Sequence, residues 1–332
     1  MSIKVIVTGA TGFLGFNLTK KLKSMGFKVV GLGRNIKKGE LLKESGIEFI
    51  PIDLQEEETL NAIFKEAKYV FHCAAKSSDW GSYQSFYNTN VIGTRNVCNA
   101  CMLNKIERLI YISTPSIYFD YKDKFDIKES DSIPKKFVNN YAKTKYLAEK
   151  IVDDAENNGL NVITIRPRAI LGIGDTSIIP RIINVNQKKF LPKTVKDDIL
   201  IDVTFVDNVV ESLILAMNAP TEYSGRKYNI TNGENIKFYE TIEKLVTELG
   251  MKYNSKYISY KKAYTVASIM EFLYKFLPNK KPILTKYSVA LISFNQTLDI
   301  LKAKEELGYK PIVSIDEGFK QIITFYKENN RV

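Results

Sequence analysis

The residues best suited to chemistry lie in the middle of the chain. Tyr141 and Lys145 open a helical pattern that runs to Asn157 and stand four apart, so they share one helical face. Upstream, the apolar run Arg108–Ile112 releases Ser113-Thr114-Pro115-Ser116-Ile117-Tyr118. A carbonyl reduced by hydride needs a proton at its oxygen, and a phenol can give it; in the oxidative direction the phenolate takes it back. Free tyrosine titrates near pH ~10, so poising it at neutrality takes about three units, or about 4 kcal/mol. A lysine ammonium one turn away favours the phenolate and supplies part of that. A hydroxyl at the end of the preceding strand can hold the carbonyl oxygen. The spacing makes Tyr141 the acid, Lys145 its tuner and Thr114 the holder, with Ser113 and Ser116 as alternative hydroxyls. An exposed helix pair is the plainer reading of Tyr141 and Lys145. Their place after the fifth strand of a dinucleotide-type pattern favours the chemical one.

That pattern begins at the N-terminus. Ile3–Val7 is β-branched and reads as a buried parallel strand. It breaks at Gly9, Gly12 and Gly15, around Thr11, Phe13 and Leu14, and a helix follows with Leu14, Leu18 and Leu22 on one face. Strand, glycine turn and helix N-terminus make a cradle for a pyrophosphate. The spacing G-x-x-G-x-x-G is one residue longer than the dehydrogenase fingerprint. Further strands are expected at 28–32, 47–52, 69–72, 108–112 and 161–165. The fold class is α/β, a Rossmann-type doubly wound parallel sheet with a smaller, mainly helical C-terminal region.

Strand ends choose the cofactor. The second ends in Gly33-Arg34-Asn35 with Lys37 and Lys38 beyond, and lacks the acid that takes a ribose 2′-hydroxyl. Arg34 can pair with a 2′-phosphate, so NADP is expected ahead of NAD; a solvent-facing arginine is the other reading. The third ends in Asp53-Leu54, where the acid can meet an adenine amino group. The fourth runs into Cys73-Ala74-Ala75-Lys76, small enough for backbone to run beside the cofactor. His72, the single histidine, reads as structural.

Past Pro167 the βα alternation loosens. The expected division is a dinucleotide domain over 1–168 and a substrate-binding region over 169–332, with 204–232 returning to the first. A loop is expected over 120–136. Helical patterns dominate after Asn232, among them 262–277, 282–292, 298–307 and 315–328. In the first of these Val266, Ile269, Met270, Leu273 and Leu277 keep helical spacing, with lysines at 261, 262, 280 and 281. It reads as a core helix, a wall over an apolar substrate, or a peripheral contact with an anionic membrane surface.

Composition narrows the class. The 332 residues carry a net charge of +11, but the lysines are scattered among glutamates, which favours a solvated surface and no nucleic-acid partner. Cys73, Cys98 and Cys101 give no disulfide framework, and a single C-x-x-C with one histidine gives no metal site. Met1 leads straight into a strand, so no signal peptide is expected, and no apolar run reaches membrane-span length. The expected compartment is the cytoplasm.

Together these residues resemble the extended short-chain dehydrogenase/reductase superfamily over nearly the whole chain. The carriers are Thr8-Gly-Ala-Thr-Gly-Phe-Leu-Gly15, Asp53-Leu54, His72-Cys-Ala-Ala75, Asn90-Val-Ile-Gly-Thr94, Tyr141 with Lys145, Arg166-Pro167 and Phe205-Val-Asp207. Within it the chain is most similar to the 3β-hydroxysteroid dehydrogenase branch, especially the bacterial reductases of 2-alkyl-3-oxoalkanoic acids in olefin biosynthesis. That similarity rests on Ala74-Ala-Lys76, Asp79-Trp-Gly-Ser-Tyr83, Tyr111-Ile-Ser-Thr-Pro-Ser116 and Ala303-Lys-Glu-Glu-Leu-Gly-Tyr-Lys-Pro311. The resemblance implies a hydroxyl–ketone oxidoreductase acting on an apolar β-keto or 3β-hydroxy lipid or steroid. It also implies cofactor contacts from the glycine turn, Arg34, Asp53, Leu54, Ala74, Ala75, Lys76, Asn90, Ile112, Tyr141, Lys145 and Pro167. A homodimer through the helix before strand five and the Tyr141 helix is a further implication. Two departures stand out: threonine replaces the usual serine at 114, and the NAD-type acid is missing. The rival readings are a nucleotide-sugar epimerase or dehydratase with retained NAD, and a non-catalytic dinucleotide sensor.

Overall fold

The apolar runs pair into one parallel sheet. In the computed structural model, which describes residues 2–277 and 280–329, its strands are β1 (Lys4–Thr8), β2 (Lys28–Gly33), β3 (Glu48–Pro51), β4 (Tyr69–His72), β5 (Arg108–Ile112), β6 (Val162–Pro167) and β7 (Lys227–Ile230). Their order is β7-β6-β5-β4-β1-β2-β3, all parallel. Every residue of β5 and β6 is buried, as a sheet covered on both faces requires. The chain walks outward from β1 to β3, then returns beside β1 as β4. This reversal opens a crevice at the carboxyl ends of β1 and β4, where sheets of this kind bind ligands.

Helices α1 (Phe13–Ser24), α2 (Ile36–Glu44), α3 (Glu57–Phe64), α4 (Gly93–Leu103) and α5 (Asn140–Asn157) follow the first strands. Leu14, Leu18, Leu22 and Leu42 cover one face of the sheet, with Val209, Leu213 and Met217 of a later helix. Leu60 and Phe64, Val97, and Ala148 and Val152 cover the other. In the second half of the chain come α6 (Ile178–Lys188), α7 (Val206–Asn218), α8 (Phe238–Glu248), α9 (Tyr260–Tyr274), α10 (Lys286–Leu291), α11 (Leu301–Leu307) and α12 (Ile315–Glu328).

Two expectations need correction. The stretch expected as a loop over 120–136 contains a strand, Lys124–Ile127, in a four-stranded sheet with Gln296–Leu298, Leu200–Ile201 and Ile236–Lys237. Residue 298 accordingly ends a strand, and α11 starts only at Leu301. Strands of two to four residues leave no readable period, and their partners lie far off in sequence. Nor does α9 form a core helix. Its buried residues are Ala263 and Ala267, while Val266, Ile269, Phe272 and Leu273 face solvent. Tyr260 and Tyr264 lie on the packed side, against Phe294 and Tyr121. The contact face is thus alanine and tyrosine, and the aliphatic stripe points away. Among the described residues no helix is long and apolar enough to cross a membrane.

An ion pair sits inside the fold. Arg166 of β6 and Glu149 of α5 are both almost fully buried, joined through Nε–Oε1 at 2.9 Å and Nη2–Oε2 at 2.5 Å. Arg166 also donates to the Tyr118 hydroxyl. Burial works against the Glu149 carboxylate, but Arg166 and Lys227 outweigh it and hold its pKa below the ordinary value. The pair therefore adds stability above the ordinary carboxylate pKa and loses it as the pH falls through the lowered one. Glu149→Gln should cost about 3–5 kcal/mol near neutrality, read as a denaturant midpoint shift that narrows in acid. A shift under about 1 kcal/mol would mean that the pair contributes little.

Candidate active site

The glycine turn after β1 is built for close approach. Gly9 has φ +71°, and a Cβ there would lie 2.7 Å from the Ala74 backbone. A Cβ on Gly15 would lie 2.2 Å from the Gly9 carbonyl oxygen. Gly12 begins α1 with no side-chain cap and no acid in its first turn, so the helix turns its positive end on the crevice. Phe13 lies under the loop at Gly172 and Gly174, Leu14 is buried, and Thr11 packs against Gly33. These features fit a dinucleotide pyrophosphate.

The wall opposite is tied by hydrogen bonds. Thr8 Oγ1 takes the Ala74 N–H at 3.3 Å and meets His72 Nδ1 at 2.7 Å. His72 Nε2 meets Thr94 Oγ1 at 2.9 Å. Burial, reinforced by Lys145, lowers the His72 pKa to about 3, so the ring is a neutral structural tie. Asn90 lies in a π-helical turn, Asn88–Ile92, a distortion frequent at functional sites. Its Oδ1 accepts from the Lys76 backbone at 2.7 Å, and its Nδ2 donates to Thr144 Oγ1 at 3.0 Å. Ala75 connects these two ties. Leu54 is buried below the rim, and Pro167 closes β6 opposite Ile230. At the rim, Arg34 and Asp53 face each other at 3.6 Å, both solvent-exposed. The second strand has no acid of its own, but the fold delivers one from the third.

The candidate hydroxyls gather at the end of β5. Tyr141, one residue into α5, has Thr114 as the neighbour that favours its ionised form. Thr114 Oγ1 donates to Ser116 Oγ at 3.0 Å, and Ser116 Oγ meets the Tyr287 hydroxyl at 2.9 Å. Tyr287 comes from α10, and nothing in the spacing of that late, short helix singles it out. Lys145, one turn on in α5, is buried. Its Nζ donates to the Ile112 carbonyl at 2.6 Å and lies 4.2 Å from the centre of the Tyr111 ring. Burial lowers its pKa to about 7, against the pull of Glu149 and Cys73. Burial also pushes Tyr141 up to about 12, countered by Thr114 and helped by Tyr287. In this arrangement the phenol is loaded with its proton rather than poised to lose it.

Residues 6–261 match the model of the 3-beta hydroxysteroid dehydrogenase/isomerase family. The chain belongs to that family. It is 31% identical to the 2-alkyl-3-oxoalkanoate reductase of Shewanella oneidensis, over 95% of this chain and 84% of that one. It is 30% identical to the sterol-4-alpha-carboxylate 3-dehydrogenase, decarboxylating, of Mus musculus, over 96% and 90%. The fold is shared with an epimerase from Methanothermobacter thermautotrophicus, with TM-score 0.81 and 24% identity over 99% of this chain and 94% of that one. As a member of the 3-beta hydroxysteroid dehydrogenase/isomerase family with reductases and dehydrogenases as relatives, the protein is a dinucleotide-dependent oxidoreductase.

Gly15→Ala tests the cradle. A methyl group cannot fit 2.2 Å from a carbonyl oxygen, so the turn must open and dinucleotide affinity should fall by at least about tenfold, roughly one lost charge-assisted hydrogen bond. Fluorescence titration reads it, and unchanged affinity would place the pyrophosphate elsewhere.

Proposed function

We propose that this oxidoreductase interconverts a secondary alcohol and a ketone on an apolar β-keto or 3β-hydroxy compound of lipid or steroid type, and prefers NADP(H). Residues 1–168 with 204–232 hold the dinucleotide, and the rest of 169–332 supplies the substrate side. The reading rests on the hydroxyl chain Thr114–Ser116–Tyr287 at the carboxyl end of β5, with Tyr141 acted on by Thr114. A bound nicotinamide supplies the hydride to the ketone or accepts it from the alcohol.

This chain's own residues do the rest. Thr114 and Tyr141 hold the substrate oxygen. Tyr141 gives its proton to that oxygen, and Ser116 and Tyr287 connect it to further donors. Its raised pKa keeps the acid loaded through the neutral range. Lys145 stays on the Ile112 carbonyl as a local cation; its charge is present below about pH 7 and lost as the pH rises through that value. Gly9, Thr11, Gly12, Phe13, Leu14 and Gly15 take the pyrophosphate. Arg34 takes the 2′-phosphate, exchanging its long, exposed contact with Asp53 for it. Asp53 and Leu54 lie at the adenine, and Ala74, Ala75, Lys76, Asn90, Ile112 and Pro167 along the inner part of the cofactor.

Tyr141→Phe keeps the ring and removes the proton, so ketone reduction should fall about 10²–10⁴-fold with dinucleotide titration unchanged. A variant that keeps more than about a tenth of the rate would acquit Tyr141. Turnover of nucleotide sugars on tightly retained NAD would replace this reading by the epimerase one. For the cofactor, Arg34→Ala should weaken NADPH about 10- to 100-fold and leave NADH nearly untouched. Equal weakening of both would show that Arg34 does not read the 2′-phosphate.

A further inference from the structure

Between residues 266 and 277 six large apolar side chains stand exposed, on α9 and the turn after it: Val266, Ile269, Phe272, Leu273, Phe276 and Leu277. Phe276 is 70% exposed and Phe272 60%, and their rings lie edge to face at 5.4 Å. At 3.6 residues per turn, Val266, Ile269, Phe272, Leu273 and Phe276 share one side of the helix. The buried Ala263 and Ala267 lie on the other. Single exposed apolar residues are ordinary on a protein surface, but a contiguous apolar patch marks a place where something docks.

The charge around this face selects the partner. From Tyr260 to Tyr287 the chain carries six lysines and one acid, Glu271. The acid is already engaged: its Oε1 accepts the Lys286 N–H at 2.8 Å, and its Oε2 pairs with Lys286 Nζ at 3.2 Å. Lys281 is held by Asp79 at 2.5 Å. Lys261, Lys262, Lys275 and Lys280 are exposed and make no ion pair among the described residues. They bracket the apolar face, two at its start and two toward its end. A second copy of the chain fits poorly. Whether parallel or antiparallel, α9 against α9 sets these lysines against lysines with no free acid between them, and like charges oppose such a contact. A nucleic acid would meet the lysines and leave the apolar side chains in water. A bilayer with anionic headgroups takes both, since aromatic and aliphatic side chains enter the headgroup–acyl boundary while lysines reach the phosphates. At 15 residues the helix is too short to span the hydrocarbon, so it suits the surface.

We propose that the outer face of α9 docks the protein on an anionic phospholipid bilayer. Phe272, Leu273 and Phe276 enter the boundary, and Lys261, Lys262, Lys275 and Lys280 meet headgroup phosphates. This goes beyond the alcohol–ketone reading and stands without it. The inner face of α9 carries a consequence. Tyr260 packs on Phe294 with ring centres 5.1 Å apart, Phe294 on Phe119 at 6.2 Å, and Phe119 on Tyr287 at 6.2 Å. Tyr287 in turn meets Ser116. A docked α9 thus sets the candidate site a short run of rings from the lipid, where an apolar substrate dissolves.

The test is co-sedimentation of the whole protein with two sets of vesicles, one an equal mixture of phosphatidylglycerol and phosphatidylcholine, the other phosphatidylcholine alone. Each lysine near an anionic surface is worth about fivefold in affinity. The wild type should therefore bind the anionic set at least about 25-fold more tightly, and lose that margin as salt is raised. Lys261→Gln with Lys262→Gln should weaken anionic binding about 25-fold. Phe272→Ser with Phe276→Ser should weaken it at least about tenfold, the weight of burying one such ring. All four positions are exposed, so dinucleotide titration should be unchanged in both variants. No binding to the anionic set, equal binding to both sets, or wild-type binding by both variants overturns the proposal. So does a dimer in sedimentation velocity that the Phe272 and Phe276 substitutions dissolve, since it assigns the face to a second copy.

Discussion

The active region depends on the buried pair between Arg166 and Glu149. It joins a central strand to the helix that carries Tyr141 and Lys145, and through Tyr118 it also grips the turn that carries Thr114 and Ser116. Three elements separated in sequence are thus fixed to one charge. Such a pair is a weak source of net stability but is strongly specific once formed, because either partner alone is a buried, uncompensated ion. The hydroxyls proposed to share one substrate oxygen would need that rigidity.

Around this anchor the molecule treats similar side chains in opposite ways. Arg166 is neutralised, and Arg168, two residues on, is not. His72 is buried and reduced to a neutral tie. Lys145 is buried over the Tyr111 ring and leans on a carbonyl, so burial weakens its hold on a proton. Tyr141 is half-buried, and there desolvation strengthens the hold, since its charged form is the deprotonated one. One physical cause, desolvation, thus moves the two members of the Tyr–Lys motif in opposite directions.

The sheet was legible because its strands are apolar on both faces and its helices alternate with them at regular spacing. The glycine turn was legible because close approach to Ala74 and to the Gly9 carbonyl tolerates no Cβ. The four-stranded sheet was not, since Lys124–Ile127 and Gln296–Leu298 are short and pair across the length of the chain. The 262–277 segment misled in another way. Its aliphatic stripe has helical spacing, but the face that packs is the alanine and tyrosine one. A period shows that a helix has a face without showing where that face points.

By itself the sequence determined the α/β architecture and the glycine turn, and it singled out Tyr141, Lys145 and Thr114 as candidates, because each depends on local spacing within one strand–turn–helix unit. The tertiary structure decided which charges meet. It set Asp53 opposite Arg34, gave Ser116 and Tyr287 a place in the hydroxyl chain, drew Lys145 to the Ile112 carbonyl and left Arg168 alone. Those outcomes turn on distances of a few ångströms between residues as far apart as Ser116 and Tyr287. Electrostatics acts through such distances and through burial, and neither is written in the order of the residues.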